Sequence, residues 1–508
     1  MVLEKLEPSL VWQIFETLLA RTPRESKKEA KIRAAIKKWV ADQSKAASVP
    51  YGTLEDSAGN LLIRVPATRG MESCPSILLQ GHLDMVCETN RPGGFDFQDN
   101  PIPVRIDKNA EWVSADGTTL GADNGIGVAL ALALLADRSK DLAHGPLELL
   151  FTVDEETGLT GAFALDMKSL GIKSRMMLNL DSEKMGYITI GSAGGGDLIL
   201  TRESPQIDRP GKDRQFVKLT VSGLQGGHSG VDIHLPRASA NKIMGRLLSA
   251  VSREVGLDLC YWNGGTKHNA ITREAEAKFA VPTVKSDQAE QLVTADKAAL
   301  LAYHRNAAGN AAPLEANLKI EWTWSDCSPT FSAEESSRIL ATANMIPHGP
   351  IHFSPDVPGL VETSCNFAIV KTEGPKVVFH LSARSSVDAE LEALRNSLVD
   401  LGKLGGWNVT KQQAYPGWKP EPMSPFLQFV KSHYESVLQQ RVQIEAVHAG
   451  LECGIIGARI PGMQMVSIGP SVENAHSPDE RLRIADVAIF YRLLKDLLAS
   501  LPQAVKKH

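Results

Sequence analysis

Five stretches of this chain carry histidines and carboxylates in settings suited to holding cations and cleaving a bond with water. His82 and Asp84 close SILLQGHLD, Asp123 opens a helix-like run in GADNG, Glu155 and Glu156 close LELLFTVDEE, Asp181 lies in LNLDSE, and His476 lies in VSIGPSVENAHSPDE. A hydrolytic metal centre needs hard oxygen and borderline nitrogen ligands, an open position for water and a base beside that water. His82, Asp123, Glu156, Asp181 and His476 supply such atoms for two ions, and one carboxylate must then bridge. Asp123 suits the bridge because it sits in an Asp-Asn-Gly turn at a helix start, where backbone N–H groups can restrain it. In His82-Leu83-Asp84 the period of two puts both polar side chains on one side of an extended segment, so Asp84 can accept the other ring N–H of His82. Glu155 and Glu156, being adjacent, point differently, so one can ligate while the other takes a proton.

The elements that must bring these residues together are short buried strands. Residues 77–79, 147–153 and 176–180 are apolar runs too short and too β-rich for helices. In an open α/β sheet, ligands sit beyond the carboxyl ends of such strands, so charged residues there can converge from separate segments. The expectation is a mostly parallel sheet with helices on both faces. Residues 10–43 show helical spacing for two amphipathic helices broken at Thr22-Pro23. The glycine cluster at 191–197 is expected to be a hinge between domains, with a tight strand crossing as the alternative. Beyond it, alternating segments such as QFVKLTVSG and PKVVFHLSARSS, with helices over 237–255 and 388–404, predict an inserted α+β domain. The expected organisation is a metal-binding domain over 1–191, the insertion over 192–415, and completion of the first domain by 416–508.

Composition excludes several classes of function. A 508-residue chain is too long for one core. Its net charge of -5 argues against nucleic acid as the main partner. No run reaches the ~18 apolar residues of a membrane span, and the beginning lacks the pattern of a secretory signal. Six cysteines without paired spacing fit a reduced, cytoplasmic setting.

The ordered motifs GHLDMV, GADNGIGVA, TVDEETG, LNLDSE, GGHSG and ENAHSPDE resemble the M20 metallopeptidase family over nearly the whole chain. QGGHSGVDIH and HAGLECG point to its branch of aminoacyl-histidine dipeptidases. The resemblance implies a zinc-peptidase-like α/β domain with an inserted lid, two Zn²⁺ per subunit (Mn²⁺ or Co²⁺ as substitutes) and a homodimer. His82 and Asp181 would hold one ion, Glu156 and His476 the other, and Asp123 would bridge. Asp84 would orient His82, and Glu155 would be the general base. His228, in GGHSG, would stabilise the oxyanion. Asn269 and Arg384 would meet the substrate carboxylate, and Glu452 either the free amine or a structural ion pair; His448 is expected to be structural. The substrates implied are unblocked dipeptides, Xaa-His types such as β-alanyl-histidine among them. An N-acyl amino acid amidohydrolase and a non-catalytic peptide-binding module are the alternatives. Asn124 departs from the residue many members carry after the bridging Asp, and the middle region is long for the family's lid.

Overall fold

The computed structural model describes residues 1–208, 211, 213–305 and 314–505. Contacts divide the chain into two compact units: 1–191, 420–446 and 451–508 form the first, and 192–419 with 447–450 the second.

The first unit is built on an eight-stranded sheet in the order Gly52–Glu55, Leu61–Val65, Leu147–Thr152, Ile77–His82, Met176–Asn179, Gln464–Ser467, Tyr187–Ser192 and Gln443–Val447. The sheet is mixed. Its four central strands, from Leu147–Thr152 to Gln464–Ser467, pair in parallel, while the pairings of Gly52–Glu55, Leu61–Val65 and Tyr187–Ser192 are antiparallel. Two of the parallel strands, Leu147–Thr152 and Ile77–His82, are buried along their whole length, as near-continuous apolar runs require. Helix Ala122–Ala136 is apolar on every side and almost wholly buried, as such a composition dictates. At the beginning of the chain, helix Ser9–Ile14 runs into a wider π-helical turn, Phe15–Leu19, and the chain breaks before helix Ala30–Ala47.

The second unit carries a nine-stranded sheet whose paired strands run antiparallel, among them Gly194–Glu203, Lys376–Ser385 and Val361–Glu373. Its strands alternate. Leu198, Leu200, Phe379 and Leu381 join Met244, Leu247 and Leu248 of helix Ala240–Glu254 and Leu391 and Leu398 of helix Asp388–Leu404 in one core. Asp197, His380, Ser382 and Arg384 occupy the intervening positions and so share the other face.

Candidate metal centre

The register of the parallel strands aligns their carboxyl ends. His82 lies opposite Thr152, Gln80 opposite Asn179, and Ser467 opposite Asn179. Ile77–His82 ends on a histidine, Leu147–Thr152 and Met176–Asn179 are followed within a few residues by acidic side chains, and Gln464–Ser467 leads into the loop that carries His476. Asp123 joins them from the start of helix Ala122–Ala136, where its own backbone departs from helical geometry.

These residues converge. His82 Nε2 lies 3.0 Å from Asp123 Oδ1 and 3.4 Å from Asp181 Oδ1. His476 Nε2 lies 3.0 Å from Asp123 Oδ2 and 2.9 Å from Glu156 Oε2. Asp123 therefore turns one oxygen to each histidine, the disposition a bridging carboxylate needs. Glu155 approaches from the same side, its carboxylate within 4.8 Å of ligand atoms of His82 and Glu156.

The electrostatics are those of a cluster short of positive charge. Burial opposes a proton on His82, but Asp181, Asp123 and Asp84 outweigh it and hold its pKa well above the ordinary value. Hydrogen bonds to Asp123 and Glu156 raise His476 to about 11. Burial pushes Glu155 well up, with Asp181, Glu452 and Glu156 adding to the effect against His82. Glu156 and Asp181 are raised by burial as well. Among the described residues, Glu156 Oε1 is buried without a hydrogen-bond partner, and Asp181 Oδ1 has only its 3.4 Å contact with His82. Buried carboxylate oxygens left unsatisfied in this way are costly unless a cation meets them. The donor set of two imidazoles and three carboxylates fits a pair of divalent ions of the zinc type.

Several residues that hold the centre in place carry no local sequence signal. Glu480 is buried, and its carboxylate accepts the N–H groups of Leu120, Gly121, Ala122 and Asp123 at 2.7 to 3.2 Å. It thereby fastens the Asp123 turn to the loop that bears His476. Arg24, also buried, donates to the carbonyls of Leu83, Asp84 and Gly121, tying the same turn to the His82 strand end. Gly121 has φ +69°, and a Cβ there would collide with Arg24 and Met85, so both conformation and space demand glycine. Asp84 faces His82 Nδ1 at 3.3 Å and accepts the N–H groups of Glu155 and Glu156 at 3.0 and 3.2 Å. These bonds outweigh burial and bring its pKa down to about 2. It therefore positions the glutamates as well as the imidazole. Asn124 donates to Leu180 O at 2.7 Å.

Beneath the ligands, Gln80 donates to Glu452 at 2.6 Å, Asn179 donates to Gln80 at 2.6 Å and Ser467 donates to Asn179. Thr152 completes the chain by donating to Glu452 at 2.7 Å. This buried layer crosslinks all four parallel strands two residues or fewer from their ends. Glu452, expected to meet either the free amine of a substrate or a structural ion-pair partner, lies in this layer, with its Oε1 buried and without a hydrogen-bond partner among the described residues. Glu452 is only 2% exposed, and one of its oxygens is committed to Gln80 and Thr152. Burial raises its pKa to about 7.

The remaining candidates lie in the second unit. His228 Nδ1 accepts the N–H groups of Gly230 and Val231 at 3.1 Å each, which places the ring proton on Nε2. Burial and then the charge of Arg384 lower its pKa, so the ring is a neutral donor. Arg384 is 7% exposed, donates to the Tyr415 hydroxyl at 2.9 Å and keeps a buried Nε without a partner among the described residues. Asn269 fixes the His228 loop through its carbonyl, which accepts Ser229 N–H at 2.8 Å. His448 is buried with Nε2 2.7 Å from the Ser364 hydroxyl, a structural placement.

Residues 78–500 match the model of peptidase family M20/M25/M40. The chain is 38% identical to a cytosol non-specific dipeptidase of Escherichia coli (strain K12) over 503 residues, covering 98% of this chain and 99% of that one. It is similar to the crystal structure of an aminoacylhistidine dipeptidase from Vibrio alginolyticus, with TM-score 0.89 and 36% identity over 98% of each chain. An aminopeptidase PepT from Bacillus cereus shares the fold at TM-score 0.55 and 17% identity, covering 98% of this chain and 99% of that one. The chain belongs to peptidase family M20/M25/M40.

Proposed function

We infer that the chain is a metallodipeptidase that hydrolyses unblocked dipeptides, Xaa-His dipeptides such as β-alanyl-histidine among them. The observation that carries this reading is the convergence of His82 and His476 on opposite oxygens of Asp123, with Asp181 and Glu156 completing the two ligand sets. Full-length similarity to a dipeptidase and to an aminoacylhistidine dipeptidase supports the substrate class.

His82 and Asp181 would hold one Zn²⁺, Glu156 and His476 the other, and Asp123 would bridge. When bound, the ions supply a Lewis acid and acidify the attacking water. Glu155 would take a proton from the attacking water and pass it to the leaving amine. Asp84 holds His82 and both glutamates in register. His228, a neutral imidazole with Nε2–H, would donate to the developing oxyanion, from its own chain or from a second copy in a homodimer. Arg384 and Asn269 would receive the substrate carboxylate, and the unpartnered Nε of Arg384 supports that assignment. Similarity to a cytosolic enzyme and six free cysteines support a cytoplasmic setting; among the described residues no helix is long and apolar enough to cross a membrane.

The test is to compare Gly-Leu and β-alanyl-histidine with their N-acetylated forms. The unblocked peptides are expected to turn over at least ~10²-fold faster, since a site built to pair a polar group rejects its absence strongly. Preference for the acetylated forms would instead assign the protein to the N-acyl amino acid amidohydrolases.

A further inference from the structure

A second set of convergent ligands lies in the second unit. Asp197 is in strand Gly194–Glu203, His380 in strand Lys376–Ser385, and His268 in the turn before strand Ala270–Ile271. His268 Nδ1 and His380 Nε2 each lie 2.8 Å from the same oxygen, Asp197 Oδ2. The two imidazoles stack at 5.7 Å with an interplanar angle of 18°, which brings their nitrogens to bear on one point. We propose that Asp197, His268 and His380 form an additional divalent-cation site in the second unit.

The geometry supports a cation in three ways. Two ligands stand on neighbouring paired strands, with Asp197 opposite Ser382 and thus one diagonal step from His380, so their separation is set by the sheet. The turn bearing the third is fastened through Asn366 Nδ2, which donates to the carbonyls of His268 and Ala270 at 3.1 and 2.9 Å. The Ser382 side chain also bonds Asp197, the kind of outer support that orients a ligating carboxylate. The donor spacing resembles that of the family's own centre, where each histidine lies 3.0 Å from Asp123.

Zinc–ligand bonds of about 2.0 to 2.1 Å in a tetrahedron separate the ligand atoms by roughly 3.3 Å. Both 2.8 Å contacts must therefore lengthen by about 0.5 Å: His268, which is 52% exposed, can turn, and the side chains of Asp197 and His380 must rotate apart on their strands. The same exposure leaves the fourth position to water. Two imidazoles and one carboxylate select Zn²⁺ and its transition-metal neighbours over Mg²⁺ or Ca²⁺. With three protein ligands and an open side, the ion is exchangeable. When bound, it ties the turn that carries Asn269 to the sheet that carries Arg384.

The test counts metal. Chelator-stripped full-length protein is equilibrated with buffered free Zn²⁺, desalted into the same buffer and measured by atomic emission, beside the variants His380→Gln and His268→Gln. His268 is half-exposed on a turn, so its replacement leaves the core intact even where His380→Gln disturbs it. The expected result is one zinc per chain fewer in each variant than in the parent. Equal zinc content in the parent and the His268→Gln protein would overturn the proposal. Because the readout is the difference between proteins, it does not depend on the occupancy or the activity of the Asp123 centre.

Discussion

At the scale of single residues, the account rests on what burial does to charge. Glu155 sits among carboxylates with its pKa pushed well up by burial, and it makes no bond to His82 or His476 of the kind made by its neighbours. Replacing Glu155 with Gln preserves shape and removes the base. The expected result is a fall in kcat of at least ~10²-fold with metal content unchanged, measured by steady-state kinetics and metal analysis on the same sample. Near-normal turnover would remove Glu155 from its role. A second residue-scale prediction concerns stability. Burial, with Arg384, His228 and His234 facing it, brings His448 down to about 3. Unfolding restores an ordinary value near 6.5, so between these limits the unfolded chain binds the extra proton and stability falls as pH is lowered. The slope from this group is at most about 1.4 kcal/mol per pH unit. His448→Gln keeps an acceptor for Ser364 and should give a shallower loss of stability between pH 6.5 and pH 4 in urea melts. An acid slope equal to the parent's would contradict this.

At the scale of elements, the strands bring the ligands to one edge and the buried polar contacts fix them there. Glu480 gathers four consecutive N–H groups at the start of helix Ala122–Ala136. Glu480→Ala leaves those donors buried and unpaired, at about 1–3 kcal/mol for each that water cannot reach. The variant should lose thermal stability and zinc affinity together, with Glu480→Gln recovering part of both. Loss of stability with zinc affinity intact would show that Glu480 supports the fold without positioning Asp123. The same scale explains what the sequence made legible. Residues 77–79, 147–153 and 176–180 announced central strands because strands covered on both faces must be apolar throughout. Helix Asp388–Leu404 was plain from its spacing. Glu480, Arg24 and the Gln80–Asn179–Ser467 layer were not legible, because each acts on residues distant in sequence, and nothing local marks a carboxylate that will cap a helix 360 positions away. The bonds of Glu452 were hidden in the same way, since its partners, Gln80 and Thr152, lie on strands hundreds of residues earlier. The antiparallel flanks of the first sheet were also hidden, since a short apolar strand gives no sign of direction.

At the scale of the whole molecule, the chain devotes one unit to a carboxylate and histidine cluster at the ends of parallel strands, and another to an antiparallel sheet with a polar face. In the first unit, burial shifts Glu155, Glu156 and Asp181 toward their protonated forms, and the carboxylates around His82 and His476 do the same to the two imidazoles. Such a cluster is held together either by protons or by metal ions, and family membership with full-length similarity to a dipeptidase selects the metals. The most direct measurement is the turnover of β-alanyl-histidine and Gly-Leu by chelator-stripped protein, before and after addition of Zn²⁺ or Mn²⁺. The expected result is negligible cleavage by the stripped protein and recovery when metal is returned. Undiminished cleavage without metal, or no cleavage of either dipeptide with any metal, would contradict it.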